Sequence, residues 1–198
     1  MPKLYYQGHG SYRLTANDGR VLYVDPFAGD GYDLPADFIL VTHQHSDHNK
    51  VELCAKKPDC RIITNAEALA DGKHNTFDLG GGITAEAVEA RNLNHHPDKC
   101  VGFVLTIDGV AVYASGDTSK TETMSSLAAR NLDYALFAMD GIFNMSLKEG
   151  AECARIVGAK HNIPIHLKPG SLYSRKKADK WDAPNKLIVE PGEEIELT

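Results

Sequence analysis

Thr42-His43-Gln44-His45-Ser46-Asp47-His48 is the stretch that decides how this chain folds and what it holds. It follows Phe38-Ile39-Leu40-Val41, a short continuous apolar run of the kind that forms a strand covered on both faces. If the chain stays extended past Val41, His43 and His45 project to the same side, because side chains alternate along a strand. Asp47 and His48 come where the strand must give way to a turn. Three imidazoles and a carboxylate within six residues are a dense set of borderline donors, suited to zinc, iron or manganese rather than calcium. A merely solvated polar loop does not fit the end of a buried strand, where unpartnered imidazoles are costly to desolvate.

One cluster has too few donors for two metals, so further ligands must arrive from other strand ends, beside small residues that permit close approach. Asp117 follows Val112-Tyr113-Ala114-Ser115-Gly116 and precedes Thr118, on a tight turn after a strand. His166 ends Ile163-Pro164-Ile165, with Pro169-Gly170 just beyond. His95 and His96 share the loop before the strand that begins at Val101, and one of them is expected to complete the set. His9, between Gly8 and Gly10, and Asp140, at the end of the Tyr134-to-Met139 run, are candidates to approach the metals or stand behind their ligands. Asp25, after Val21-Leu22-Tyr23-Val24, reads as a buried carboxylate that supports a neighbour or caps a turn. His74 and His161 read as surface groups.

Around these residues the chain reads as roughly ten strands, several in hairpins, with a handful of helices, which implies two sheets with helices packed outside. Asn17-Asp18-Gly19 and Asp108-Gly109 are hairpin turns. Ser119 with Glu122, and Ser146 with Glu149, match the capping pattern that opens helices. Leu187-Ile188-Val189 closes the expected strands.

The order His43-x-His45-x-Asp47-His48, a later histidine, Ser115-Gly116-Asp117-Thr118 and a strand-end His166 resembles the metallo-β-lactamase fold across nearly the whole chain. Gly8-His9-Gly10-Ser11-Tyr12, Val24-Asp25-Pro26 and Ile165-His166 resemble, more narrowly, the branch that includes L-ascorbate 6-phosphate lactonases. The resemblance implies an αββα sandwich of α/β class with two divalent metals, zinc foremost and manganese or iron as alternatives, at one edge of the sheets. It implies that His43, His45 and one histidine of the His95-His96 pair hold the first metal. His96 is preferred there because related proteins show His-Pro, as in His96-Pro97. Asp47, His48 and His166 would hold the second metal, with Asp117 bridging.

Two cations flanking a water bring its pKa from about 15.7 toward neutrality and polarise a carbonyl or phosphoryl oxygen. The expected activity is therefore hydrolysis of a small ester, lactone or phosphoester, with Asp47 both ligating and orienting the attacking hydroxide. No Gly-x-Ser-x-Gly elbow is present, so a serine nucleophile is not expected. A metal-binding sensor without turnover, or a phosphodiesterase or nuclease of the same fold, are the competing readings. Lys168 and the Ser174-Arg175-Lys176-Lys177 run follow His166 closely and suggest an anionic group on a small-molecule substrate.

Charge and composition narrow the field further. The 198 residues suggest one domain, long enough to bury a core without staples. At 42% hydrophobic and 24% charged, the chain has ordinary globular usage, which argues against disorder. Lys and Arg number 21 against 27 Asp and Glu, and a net charge of −6 lacks the basic face that duplex binding requires. No apolar run approaches ~18 residues, and no export-signal core follows Met1, so neither a membrane span nor secretion is expected. Cys54, Cys60, Cys100 and Cys153 show no CxxC spacing and read as free thiols in a reducing cytoplasm. A homo-oligomer is compatible with all of this.

Overall fold

The computed structural model describes residues 1–198 and contains two mixed six-stranded sheets, one from each half of the chain apart from a C-terminal edge strand. The first sheet comprises β1 (Lys3–Gly8), β2 (Ser11–Thr15), β3 (Val21–Val24), β4 (Ala36–Val41) and β5 (Lys56–Thr64). After the short helix α1 (Asn65–Ala68), the second sheet is laid down as β6 (Thr76–Gly80), β7 (Ile83–Glu89), β8 (Val101–Ile107) and β9 (Val110–Ala114). Helix α2 (Met124–Leu127), β10 (Tyr134–Ala138), α3 (Leu147–Val157), β11 (His161–Ile165) and α4 (Arg175–Lys180) follow. Finally β12 (Glu194–Glu196) returns to pair with β1, giving the order β12-β1-β2-β3-β4-β5 beside β11-β10-β9-β8-β7-β6.

Apolar alternation closes the sheets on each other. A cluster of 27 buried residues joins Leu4, Leu14, Leu22 and Leu40 of the first sheet to Phe103, Leu105, Val112 and Leu136 of the second. A second cluster of 17 residues lies between the outer face of the second sheet and α3, and includes Trp181. The outer face of the first sheet is covered more thinly, by a cluster of seven that includes Tyr32 and Cys54 from the loops. The result is an α/β sandwich with few helices. No helix is long and apolar enough to cross a membrane.

The Asp108-Gly109 turn has φ of 50° and 86°, the doubly left-handed form whose twist suits a tight hairpin. Ser146 caps α3 as expected, its Oγ accepting from the Glu149 amide at 3.1 Å. Ser119 opens no helix. Its amide donates to the Arg91 carbonyl at 3.0 Å, and α2 starts only after Thr123. Leu187–Val189 forms no strand either, since only an isolated bridge joins Lys186 to Asn162. Strands β6 and β12 are additions to the sequence reading.

What positions the site is the direction of five strands. β3 runs parallel to β4, and β9, β10 and β11 run parallel to one another. Their carboxyl ends lead to Asp25, His43, Asp117, Asp140 and His166, so all five candidate side chains are delivered to one edge of the sandwich.

Candidate metal centre

Six of the nine histidines meet at that edge, with two aspartates. Candidate donor atoms within 4.8 Å of one another fall into three overlapping groups: His43, His45 and His95; His43, His48 and Asp117; and His9, Asp47, His48 and His166. His45 Nδ1 and His95 Nε2 are 3.2 Å apart. Two nitrogens at about 2.1 Å from one tetrahedral zinc are separated by about 3.4 Å, so that spacing suits a shared cation. Asp117 lies between the groups. Its Oδ1 is 3.4 Å from His48 Nε2, while its Oδ2 is 3.4 Å from His95 Nε2 and 3.5 Å from His166 Nε2.

The far side of each ring fixes which nitrogen is free. Asp25 accepts from the Thr42 amide at 2.7 Å, from Thr42 Oγ1 at 2.6 Å and from His48 Nδ1 at 2.8 Å. Because the Thr42 hydroxyl spends its proton on Asp25, it accepts from His43 Nδ1 at 3.0 Å. His95 Nδ1 donates to Asn92 Oδ1 at 2.9 Å. His43 and His95 therefore turn an unprotonated Nε2 inward, and His48, held by Asp25 through Nδ1, aims its Nε2 at Asp117. His43 Nε2, His48 Nε2, His166 Nε2 and Asp117 Oδ1 are buried without a hydrogen-bond partner. Orphaned buried atoms are costly, and four of them converging on one place fit divalent cations.

A family model described as a β-lactamase superfamily domain matches residues 3–166. The chain belongs to the metallo-β-lactamase superfamily. It is similar to proteins named UPF0173 metal-dependent hydrolase. Identity to the one from Methanoculleus marisnigri is 28%, over 98% of this chain and 96% of the relative. Identity to the one from Methanoregula boonei is 32%, over 82% and 81%. A solved Parabacteroides distasonis structure described as a metal-dependent hydrolase has a TM-score of 0.78 and 29% identity, covering 96% of this chain and 93% of its own. Igni18, a metallo hydrolase from Ignicoccus hospitalis, shares the fold with a TM-score of 0.77 at 18% identity, covering 98% and 97%. This member of the superfamily is a metal-dependent hydrolase.

In this metallo-β-lactamase-superfamily chain the preference for His96 is corrected. His95 is buried against His43 and His45, whereas the His96 side chain is 65% exposed and faces Asp98. The reason is a tight turn. The Asn92 and His95 backbones exchange hydrogen bonds at 3.0 and 3.3 Å, which points His95 inward and its neighbour out.

His9 is fully buried, with Nε2 3.1 Å from Asp47 Oδ2 and Nδ1 3.0 Å from the Ser171 carbonyl. Its own carbonyl accepts from the His166 amide at 2.8 Å, which ties the two sheets together at the centre. Asp140 does not reach the cluster's interior. Its Oδ2 stands 3.3 Å from His166 Nδ1, too oblique for a hydrogen bond, and its Oδ1 accepts the amides of Ile142 and Phe143 at 2.6 and 2.7 Å. His9, Asp25 and His166 all hold φ between 46° and 56°, a left-handed conformation that non-glycine residues adopt at a cost. Gly10 is required by packing, since a β-carbon there would lie 2.9 Å from His48 Cε1.

Electrostatics divides the site. Burial, with the charge of His48, pushes the His43 imidazole down to about 2. Burial likewise lowers His95 and His166. His48 goes the other way: burial opposes its charge, but Asp117 and Asp25 raise it well above the ordinary value. Burial also opposes the charged carboxylates. Even so, His48 and His166 hold Asp117 well below the usual range, and the His9 hydrogen bond with the His48 charge lowers Asp47.

A cleft of about 410 Å³ opens over the cluster, walled in part by His45, Asp47, Asn94, His95, Asp117 and Phe143. No lysine or arginine lines it, though Lys99 lines the adjoining recess behind His45. Lys168 is exposed outside the cleft. The basic segment has other partners: Arg175 pairs with Asp179 and Glu190, and Lys177 Nζ donates to the Asp140 carbonyl. Asn92 and Thr42 aim two of the rings, and neither has metal-binding chemistry of its own to mark it in the sequence. An Asn three residues before a histidine, and a Thr beside one, were the available signals.

Proposed function

We propose that this hydrolase binds two divalent cations, zinc foremost and manganese or iron as alternatives, and cleaves a small ester, lactone or phosphoester. The observation that carries this reading is Asp117, whose two oxygens face the histidines of both groups at 3.4–3.5 Å. His43, His45 and His95 would hold one cation, Asp47, His48 and His166 the other, and Asp117 both. Bound there, the cations supply a water acidified toward neutral pH and an electrophile for the substrate oxygen. Asp47 is one-third exposed at the cleft wall and fixed by His9, so its carboxylate is placed to accept a hydrogen bond from the attacking water. Its lowered pKa keeps it ionised at neutral pH and makes it a weak base. Its role is therefore to orient that water, and the histidines and Asp117 keep fixed positions throughout. The cleft volume gives a substrate room, which favours turnover over sensing. The absence of lysine and arginine from its walls weighs against a nucleic-acid backbone. The four free cysteines suit a cytoplasmic enzyme.

The test joins elemental analysis to a substrate panel. Chain purified with supplied zinc or manganese should carry close to two equivalents of metal and hydrolyse at least one of the ester, lactone and phosphodiester probes. A single tightly held equivalent that saturates activity would overturn the two-metal reading.

A further inference from the structure

Three large apolar side chains stand in solvent on the two loops that contribute Asn94 and Phe143 to the cleft wall. Leu93 is 104% exposed, Ile142 68% and Phe143 47%. Phe143 is itself a wall of the cleft, alongside His45, Asp117 and His166. Leu93 precedes Asn94, which is another wall. Solitary exposed apolar residues are ordinary, but three on two loops that are hydrogen-bonded to each other beside one cleft call for a reason.

The loops that carry them are fastened. Asn94 Nδ2 donates to the Phe143 carbonyl at 3.4 Å, and Asn92 Nδ2 donates to Asn144 Oδ1 at 3.2 Å. Each loop is also anchored on a group that backs a candidate ligand: Asn92 holds His95, and Asp140 caps the loop while facing His166. The loops that carry these side chains are thus built into the same hydrogen-bond framework as the centre, and Phe143 shares the cleft wall with the candidate ligands His45, His95, Asp117 and His166. No lysine or arginine lines the cleft, so away from the cations themselves nothing in its walls pairs with an anionic group.

We propose that Leu93, Ile142 and Phe143 form a substrate-recognition surface for an uncharged carboxylic ester whose aliphatic acyl chain lies over Phe143. The proposal rests on the hydrolytic reading above. In the reaction a water oxygen bonds to the acyl carbon, the ester C–O bond breaks, and the leaving alcohol takes up a proton. Each methylene withdrawn from water is worth up to about fourfold in affinity, and a half-open rim captures only part of that.

The metal-loaded chain and its Phe143→Ala variant should be compared on two series of matched chain length. One is p-nitrophenyl acetate, butyrate and octanoate, followed by hydrolysis. The other is the straight-chain hydroxamic acids of the same lengths, followed by calorimetric binding. We expect kcat/KM and affinity to rise tenfold or more from the two-carbon to the eight-carbon member, and the rise to shrink at least threefold in Phe143→Ala. Ester hydrolysis with a flat profile in both series would overturn the surface and leave the hydrolase reading standing. Chain-length preference among hydroxamates without any ester hydrolysis would support the surface and overturn the ester chemistry. A dimer in sedimentation that Phe143→Asp abolishes, with no chain-length preference, would overturn the proposal by making the rim a contact between copies.

Discussion

In the group formed by His43, His45 and His95, the far ring nitrogens of His43 and His95 lean on neutral partners, the Thr42 hydroxyl and the Asn92 amide oxygen. In the group formed by His48 and His166 they face carboxylates, Asp25 at 2.8 Å and Asp140 at 3.3 Å. The first group carries no formal charge of its own, and the second includes Asp47. A carboxylate hydrogen-bonded behind an imidazole makes the ring a stronger donor and locks its orientation, as Asp25 does for His48, and Asp140 sets a negative charge behind His166. The two halves are therefore unequal by construction. The second should grip its cation more firmly and the first should exchange more freely, with Asp117 coupling them because it faces both.

The largest effect should come from removing that coupling. In Asp117→Ala, His48 and His166 lose the charge that faces them, and His95 loses its link to the other half. Metal content is expected to fall below one equivalent, and kcat/KM by at least about a thousandfold, in line with losing a charge-stabilising group and a ligand together. Elemental analysis and hydrolysis assays on the same preparation decide the matter. Retention of two equivalents would show that the halves bind independently of Asp117.

An intermediate effect sharpens the inequality itself. Asp140→Asn keeps an oxygen to accept the Ile142 and Phe143 amides but presents no charge to His166. Asn92→Ala removes the neutral acceptor behind His95. Competition against a chelator should show affinity at the weakened half falling about tenfold in Asp140→Asn, the low end for an outer carboxylate because Asp140 acts by charge and not by a hydrogen bond. Asn92→Ala should cost about threefold, the scale of one neutral hydrogen bond of roughly 0.5–1 kcal/mol. Equal losses in the two variants would break the comparison, because charge behind the ring would then not be what distinguishes the halves.

The same comparison explains what was legible in the sequence. The second half could be read in outline, because its histidines and carboxylates end strands whose apolar runs announce them. His48 belongs to the dense motif, and Ile163-Pro164-Ile165 points to His166. Asp117 was legible through Gly116, whose φ of 60° and approach to the Val101 carbonyl leave no space for a β-carbon. In the first half His43 and His45 could be read from the same motif, but His95 lies on a loop, and a loop's register is set by hydrogen bonds made after folding. The Asn92–His95 turn is such a case, and one residue of slip exchanged His95 for His96. Strand β6 escaped notice because it is largely exposed, and β12 because three residues, Glu194-Ile195-Glu196, carry almost no pattern. The false capping site at Ser119 has a related origin. Thr118 Oγ1 and the Ser119 amide are committed to Arg91, which fastens the Asp117 turn to the His95 loop and leaves neither free to start a helix.

The smallest effect tests that register directly, within the first half. His96 has its side chain 65% exposed, and its nearest charged neighbour is Asp98, at 3.4 Å from Nδ1 and itself 83% exposed. An exposed pair of this kind contributes roughly 0–1 kcal/mol, so His96→Ala should leave stability almost unchanged. Metal content and kcat/KM should stay within about twofold of the parent chain, the scale of an ordinary surface substitution. His95→Ala should behave otherwise. It vacates a buried ring that meets His45 at 3.2 Å and Asp117 at 3.4 Å, and it strips the first half of a donor that nothing nearby replaces. Titration with zinc should then show one tight and one weakened equivalent in His95→Ala, against two in His96→Ala. Unfolding of both can be followed through Trp181, the single tryptophan, which is buried in the core beside α3 and far from either substitution in the sequence. If His96→Ala were the variant that lost metal, the loop would rearrange on binding, and the inward turn at Asn92 would describe only the metal-free chain.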